Sequence, residues 1–309
     1  MLQLDPQIST VDHGLLKKHG RSFYWASFFL AQKARNLAAT LYAFCRWVDD
    51  AVDEADSQAE AFRNIEKLQR ILATQGDSYP QFENLFTILG QYGLGMDPAE
   101  ELIRGVKSDL QDVLVQNEEE LLLYCYRVAG TVGLMMCPIL GVREEPAMRY
   151  AIDLGIAMQL TNISRDVLED AHRKRIYLPQ SWMPGEVGPQ DILHDPSVRN
   201  EIPKIVDRAL KLAELHYHSA ISGLVYIPWR ARLAICVALS IYRQIGVKIQ
   251  REWNGDSLRG RMFVKPVEKI FCIFKGIYIF GKTLFKTRPG RVETMLAKHS
   301  SLKMLPGVN

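Results

Sequence analysis

Two acidic clusters within apolar helical segments constrain the fold of this chain more than any other feature of its sequence. The first cluster spans residues 46–54, and the second spans residues 159–170, about a hundred residues later. An α-helix repeats every ~3.6 residues, so Asp49 and Asp53 share one face of the first helix. Carboxylates are rarely buried unless they are paired or bind a metal ion. Two such helices facing each other would form a doubly acidic pocket.

Other polar side chains extend each cluster along its helix. Arg46 and Tyr42 continue the first stripe toward the N-terminus. The second stripe consists of Gly155, Gln159, Asn162, Asp166 and Asp170. Arginines beside both clusters suit bidentate binding of phosphate, and carboxylate and amide oxygens are ligands of hard cations. The pattern predicts a magnesium site that receives a phosphate-bearing substrate, although a single pair of spaced aspartates usually forms only a solvated helix face.

The composition is that of an ordinary soluble protein. Of 309 residues, 48% are hydrophobic and 24% are charged, which suits one helical core. The five cysteines are scattered without a CxxC pair, which indicates a reducing compartment. Residues 1–20 contain no apolar signal-peptide core, and no run approaches the ~18 uncharged apolar residues of a spanning helix. We therefore expect a cytoplasmic protein, or one peripheral to the inner face of a membrane.

Helical periodicity runs through most of the chain. Helices are predicted over residues 37–55, 59–73, 98–115, 118–140, 146–171, 202–221 and 228–252. The proline-rich stretch 179–203 is predicted to be a loop with at most one short helix. The aromatic run 270–280 is also predicted to be helical, because no partner strands are evident. The fold class is all-α, with one domain over residues 1–266 and a C-terminal extension over residues 267–309.

The C-terminal extension differs from the body of the chain in charge. From Arg259 onward there are eleven basic and two acidic residues, interspersed with large apolar side chains. One interpretation is a terminal helix that covers the core. The other is an interfacial segment that docks on anionic lipid. No nucleic-acid partner is expected.

Several separate segments together resemble one known family. They are residues 21–23, 42–53, 124–133, 162–170 and 175–179. They match in order the motifs of the head-to-head prenyl transferases, the phytoene and squalene synthases, and the likeness extends from about Lys18 to about Pro266. This resemblance implies a single-domain isoprenoid-synthase-type helical bundle around a central hydrophobic cavity. The pattern is most similar to that of the bacterial phytoene synthases.

The resemblance also implies roles for individual residues. Mg²⁺, which Mn²⁺ could replace, would be held by Asp49, Asp53, Asn162, Asp166 and Asp170. Phosphate oxygens would be contacted by Ser22, Arg46, Arg165 and Tyr177, with Gln159 at the boundary. The pocket and its hydrocarbon walls would include Phe23, Tyr42, Tyr124, Val128, Ala129, Val132 and Leu160. Catalysis would depend on the four aspartates with Arg46 and Tyr42. The basic run 172–175 is either a solvated helix end or a further diphosphate contact.

The implied reaction joins two prenyl diphosphates through a cyclopropylcarbinyl diphosphate. Ser27 and Ala39 are small residues near the expected tunnel, which favours geranylgeranyl diphosphate as substrate and phytoene, a carotenoid precursor, as product. Phytoene formation ends by proton loss, so NADPH is not expected. One alternative is a squalene, dehydrosqualene or presqualene diphosphate synthase that uses farnesyl diphosphate. Others are a terpene cyclase and a non-catalytic scaffold or assembly factor with the same fold.

Overall fold

The computed structural model describes residues 21–74, 79–91, 93–288, 294–295, 299 and 302–308, and these form a helical bundle. The helices are α1 (Arg21–Ser27), α2 (Gln32–Asp53), α3 (Gln58–Ala73), α4 (Pro80–Gln91), α5 (Asp97–Ser108), α6 (Glu118–Cys125), α7 (Thr131–Ile139), α8 (Glu145–His172), α9 (Pro189–His194), α10 (Pro196–Gly223), α11 (Trp229–Trp253) and α12 (Pro266–Leu284). A π-helical turn, Tyr126–Gly130, joins α6 to α7. The predicted all-α class is confirmed.

Local sequence signals explain where several helices begin. Ser57 caps α3 by accepting a hydrogen bond from the backbone N–H of Glu60, and Asn117 caps α6 in the same way. Proline occupies the first turn of α5 and of α8, where its missing N–H would have had no helical partner. The two acidic clusters lie toward the C-terminal ends of α2 and α8.

The longest central helix, α8, packs unusually close to the chain segment that precedes it. A Cβ atom on Gly155 would overlap the carbonyl oxygen of Ala129, and one on Gly133 would overlap that of Ala151. Glycine is required at both positions because the backbones themselves are in contact. This approach brings the π-helical turn against the middle of α8, which becomes one wall of a cavity.

One predicted helix is too long. The segment predicted as helix over 98–115 ends at Ser108, and Val113–Leu114 instead forms a short strand, β1. This strand pairs in parallel with β2, Arg175–Ile176, which follows α8. The apolar residues at 113–115 fit a helix equally well by spacing alone, and only the distant partner strand selects the extended form. The pairing fixes the chain after α8 beside the end of α5.

The C-terminal residues return to the same bundle. Helix α12, which contains the predicted helix 270–280, lies against α11, where a Cβ on Gly276 would come within 2.9 Å of the Val237 backbone. Farther along, Leu302 is fully buried, and the Tyr126 hydroxyl donates to the carbonyl of Pro306 at 2.8 Å. The described parts of the extension therefore cover the core.

Two helical stretches of the described chain meet the length and hydropathy of a membrane span, Glu118–Ile139 and Trp229–Trp253. In each of them more than half of the apolar window is buried inside the protein. Both stretches contribute side chains to the central cavity. Their hydrophobicity is therefore accounted for by the core.

Substitution of Gly155 by alanine is expected to lower the free energy of unfolding by roughly 2 kcal/mol or more, because the added methyl group must push α8 away from Ala129. Urea denaturation followed by circular dichroism measures the change. Gly90, in α4, is the matched control, since a Cβ there meets no atom within 4 Å. Gly90→Ala should raise stability by about 0.5–1 kcal/mol. Equal losses in both variants would contradict the proposed close packing.

Candidate active site

A cavity of about 320 Å³ lies between α1, α2, the π-helical turn, α7, α8 and α11. Most of its wall is aliphatic or aromatic and includes Leu30, Leu140 and Ile227. Polar groups line it from Asp49 on α2 and from Gln159 and Asn162 on α8. The two acidic helices therefore meet at one end of an apolar chamber. Such an arrangement can hold a long hydrocarbon chain with a charged group at its head.

The structure places most of the predicted wall residues on this cavity. They are Phe23, Ser27, Tyr42, Val128, Ala129 and Val132. Ala39 is an exception, because it is buried at 3% exposure without lining the cavity. Its neighbour Ala38 shares a helical face with Tyr42 and lines the wall instead. Leu160 is likewise a fully buried core residue that does not line the cavity.

The Asp49 carboxyl lines the polar end of the cavity, where it is accessible to solvent. Desolvation by the surrounding protein, assisted by the negative charge of Asp53, raises the pKa of Asp49 to about 7, although Arg46 acts in the opposite direction. Asn162 faces the same cavity, and its amide nitrogen donates to Gln159 at 3.3 Å. The Asn162 side-chain oxygen is buried without a hydrogen-bond partner in the described structure. Both side chains thus offer oxygen atoms whose ligand-binding capacity is unused.

Asp53, at the end of α2, is neutralised by the chain that leaves α8. Asp53 accepts a hydrogen bond from Arg173 at 2.6 Å and another from Arg175 at 2.9 Å. Lys174, between these arginines, has a φ of 59°, a left-handed conformation that costs an L-residue roughly 1–2 kcal/mol. This turn lets both guanidinium groups reach one carboxylate. The basic run after the second cluster therefore bridges back to the first.

Asp109, at the end of α5, is a carboxyl that the sequence analysis did not assign to the site. It accepts hydrogen bonds from the hydroxyls of Tyr124 at 3.0 Å and Tyr177 at 2.9 Å. The two tyrosine rings stack with centroids 4.5 Å apart. Burial raises the pKa of Asp109 to about 6, while the charge of Arg175 lowers it. Tyr124 and Tyr177, predicted to contact substrate, are engaged with Asp109 and do not line the cavity.

On α8 the acidic residues have two different environments. Burial and the nearby charge of Asp166 raise the pKa of Asp170 to about 8. Asp166 itself is paired with Arg165 through contacts of 2.7 and 2.5 Å, and Arg261 lies 3.3 Å away. Arg165, Asp166 and Arg261 line a second, open pocket of about 450 Å³. Asp166 and Arg165 are thus not on the wall of the apolar cavity.

Two other predicted phosphate contacts stand apart from the cavity. Arg46 forms ion pairs with Asp50 at 2.5 Å and with Glu54 at 3.7 Å, so its guanidinium is directed along the neighbouring face of α2. The side chain of Ser22 lies outside the described part of the structure.

Tyr242 of α11, which was not predicted, lines the cavity, and its ring centroid is 5.3 Å from that of Phe23. An aromatic residue in an apolar helix carries no sequence signal that distinguishes this role from core packing.

The donor set suits a hard cation that brings ligands of its own. Among the described residues, no group of three or more histidine, cysteine or acidic side chains could hold a metal ion. Mg²⁺ commonly binds through one or two carboxylates and completes its coordination with substrate phosphates and water. The unpartnered oxygen of Asn162 and the carboxyls of Asp49 and Asp170, whose pKa values are raised by desolvation, match that requirement.

Comparisons with known proteins agree with this geometry. The sequence model of the family described as Squalene/phytoene synthase matches residues 16–267. The chain is similar to a 15-cis-phytoene synthase of Enterobacter agglomerans, with 36% identity over 74% of this chain and 81% of that protein. It is also similar to a phytoene synthase of Rhodobacter capsulatus, with 34% identity over 84% of this chain and 78% of that one.

Solved structures show the same fold. A dehydrosqualene synthase in complex with ligand superposes with a TM-score of 0.72 at 25% identity, over 87% of this chain and 95% of that one. A squalene synthase of Alicyclobacillus acidocaldarius gives a TM-score of 0.66 at 23% identity, over 77% of this chain and 91% of that one. The helical arrangement around the cavity is therefore shared with proteins of these two names.

The raised pKa values predict that the metal-free protein loses stability as pH rises from about 4 to about 8. Asp49 and Asp170 hold protons in the folded state that the unfolded chain releases near pH 4, so unfolding becomes easier across this range. Melting temperatures at several pH values in a chelating buffer measure the slope. Asp170→Asn should flatten it, whereas the exposed Asp112→Asn should not. A slope unchanged by Asp170→Asn would contradict the assigned burial.

Proposed function

The chain belongs to the squalene/phytoene synthase family, and we propose that it condenses two geranylgeranyl diphosphates head to head to give phytoene for carotenoid biosynthesis. The observation that carries this proposal is the apolar cavity with acidic helices at one end. A prenyl diphosphate has the same two-part chemistry, a long hydrocarbon and a charged head. The relatives named phytoene synthase in Enterobacter agglomerans and Rhodobacter capsulatus support it.

The proposal assigns the metal to the two facing stripes. Asp49 and Asp53 on α2, with Asn162, Asp166 and Asp170 on α8, would hold Mg²⁺, or Mn²⁺ in its place, together with the substrate diphosphate. Bound divalent cations would stabilise the negative charge that develops on the leaving diphosphate. The paired state of Asp53 and Asp166 agrees with this assignment, because the arginines that now neutralise them are themselves suited to bind diphosphate oxygens.

The residues of the chain then protect the carbocation that remains. In the first half-reaction, the C–O bond of one substrate breaks and its diphosphate leaves, its allylic carbon alkylates the double bond of the second molecule, and loss of a proton closes the ring of a cyclopropylcarbinyl diphosphate. In the second, this intermediate loses diphosphate, rearranges and releases a proton. The apolar wall excludes water that would trap the cation as an alcohol. The rings of Phe23, Tyr42 and Tyr242 offer π-faces that attract positive charge.

Small residues along the cavity support the longer substrate. Ser27, Ala38, Ala147, Gly223 and Ala234 all contribute to the wall. Large side chains at these positions would shorten the chamber. The preference for geranylgeranyl over farnesyl diphosphate therefore rests on Ser27 and Ala38, since Ala39 is not on the wall. Because the proposed reaction ends by proton loss, NADPH is not required.

The alternative within the family is condensation of farnesyl diphosphate, and the fold shared with a dehydrosqualene synthase favours it as the second candidate. Purified protein should be incubated with Mg²⁺ and each prenyl diphosphate, without NADPH, and the extracted hydrocarbons identified by mass. A forty-carbon hydrocarbon from geranylgeranyl diphosphate is the expected product. A thirty-carbon product formed only from farnesyl diphosphate would replace the proposal with the alternative. No product from either substrate would favour the scaffold interpretation.

Asp49→Asn is expected to lower the rate of phytoene formation by roughly a hundredfold or more, because the variant lacks a carboxylate for the leaving-group cation. Its fold should be retained, since the amide has the same shape as the carboxyl and removes a negative charge that lies close to that of Asp53. The rate is measured with radiolabelled substrate, and circular dichroism reports the helical content. Asp112→Asn, an exposed change away from the cavity, is the matched control. Full activity of Asp49→Asn would show that Asp49 is not a metal ligand.

Ser27→Leu is expected to shift substrate preference from geranylgeranyl toward farnesyl diphosphate, because the larger side chain shortens the cavity. The ratio of the two kcat/KM values should change by roughly tenfold or more. Competition between the two substrates in one reaction measures that ratio directly. If both rates fell by the same factor, Ser27 would not set the length of the chain.

A further inference from the structure

Helix α12 exposes a continuous apolar stripe on the surface of the protein. Val267, Phe271, Phe274 and Tyr278 are 65%, 64%, 64% and 63% exposed, and Phe285, just after the helix, is 91% exposed. Their spacing of three, four or seven residues places them on one face of the helix. Scattered exposed apolar residues are common, but an aligned set of this size usually marks an interaction surface.

The opposite face of α12 is firmly packed, so the stripe has a fixed direction. Cys272 and Gly276 are buried against α11. Two polar contacts join the ends of α12 to α11. Lys248 donates to Glu268 at 2.6 Å, and Arg232 donates to the Thr283 hydroxyl at 3.2 Å. These contacts make α11 and α12 antiparallel. The helix therefore cannot rotate its apolar stripe into the core without losing them.

Positive charge follows one edge of the stripe. Lys275 and Lys282 are exposed and seven residues apart, and Lys286 follows after the end of the helix. The Lys282 ammonium lies 4.5 Å from the centre of the Tyr278 ring. Glu268 is the only acidic residue in the helix, and it is already paired with Lys248. The surface thus combines aromatic side chains with cations that no acidic residue of α12 neutralises.

We propose that α12 docks in the plane of an anionic lipid bilayer, with the apolar stripe at the acyl boundary and the lysines at the headgroups. Aromatic residues beside lysines are suited to that interface, and anionic headgroups complement the charged edge. The interaction is peripheral, since the 19-residue helix is held against α11 along its other face.

The docked surface lies one helix away from the cavity. Helix α11, which α12 covers, contributes Ala234, Ile235, Ala238 and Tyr242 to the cavity wall. Docking would therefore keep the chamber beside the bilayer, where a water-insoluble hydrocarbon can be released. That benefit depends on the proposed function, whereas the docking itself depends only on α12.

Vesicle flotation of the full chain tests the proposal. The protein is expected to float with phosphatidylcholine vesicles that contain phosphatidylglycerol, to bind pure phosphatidylcholine more weakly, and to lose binding as salt is raised. The variant Phe271→Ser/Phe274→Ser should bind roughly tenfold less. Lys275→Glu/Lys282→Glu should reduce binding only to the anionic vesicles, by roughly tenfold. Leu215→Ser and Lys33→Glu, which change exposed residues on other helices, should bind as the parent protein does.

Three results would overturn the proposal. The first is that the parent chain does not float with anionic vesicles. The second is that both α12 variants bind vesicles as the parent does, and the third is that the two control variants lose as much vesicle binding as the α12 variants. If the parent chain formed a concentration-dependent dimer and bound no vesicles, and the Phe271→Ser/Phe274→Ser variant stayed monomeric, the stripe would be assigned to self-association instead. Prenyl transfer in detergent micelles should be unchanged in the α12 variants. Because flotation is measured without substrate, failure of docking and failure of the proposed reaction are separately visible.

Discussion

Repulsion among neighbouring carboxyl groups at the ends of α2, α5 and α8 is the constraint on which the site depends. Desolvation raises the pKa values of Asp49 on α2, Asp109 at the end of α5 and Asp170 on α8, and neighbouring negative charges raise them further, that of Asp53 at Asp49 and Asp109 and that of Asp109 at Asp49 and Asp170. The charge of Arg175 opposes this effect at Asp109 and Asp170, and its guanidinium bonds directly to Asp53. The segment after α8 thus supplies the positive charge that allows three helices to converge. A cation accompanied by diphosphate would complete the same neutralisation.

The apolar chamber depends on a second constraint, the close contact of backbones. Gly155 and Gly133 allow α8 to approach the π-helical turn until no side chain fits between them. The turn then presents Val128 and Ala129 to the cavity, and the start of α7 presents Val132. Apolar side chains are stable where water is excluded, whereas carboxylates are stable where water, cations or other partners can reach them. The cavity keeps the two kinds of side chain apart. Their separation within one cavity is what suits it to a molecule with a hydrocarbon tail and a diphosphate head.

Much of the fold and part of the site could be predicted from the sequence. Helical periodicity located the main helices, and the spacing of Asp49, Gln159 and Asn162 predicted the side chains that now meet in the cavity. The short parallel pair of β1 with β2 was not predicted, because its strands are distant in sequence and too short to show a pattern. Asp109 was not assigned to the site for a similar reason, since its tyrosine partners come from two other segments.

The sequence by itself determined the all-α class and the amphipathic faces, because both follow from residue spacing along a single helix. It also determined which helices carry carboxylates within apolar surroundings. Only the tertiary structure decided that Ala38 rather than Ala39 lines the cavity, and that Arg173 and Arg175 return to Asp53. Those outcomes depend on the rotation of one helix against another and on a left-handed turn at Lys174. Packing between segments that are distant in sequence determines both the rotation and the turn, so neither can be predicted from a local sequence pattern.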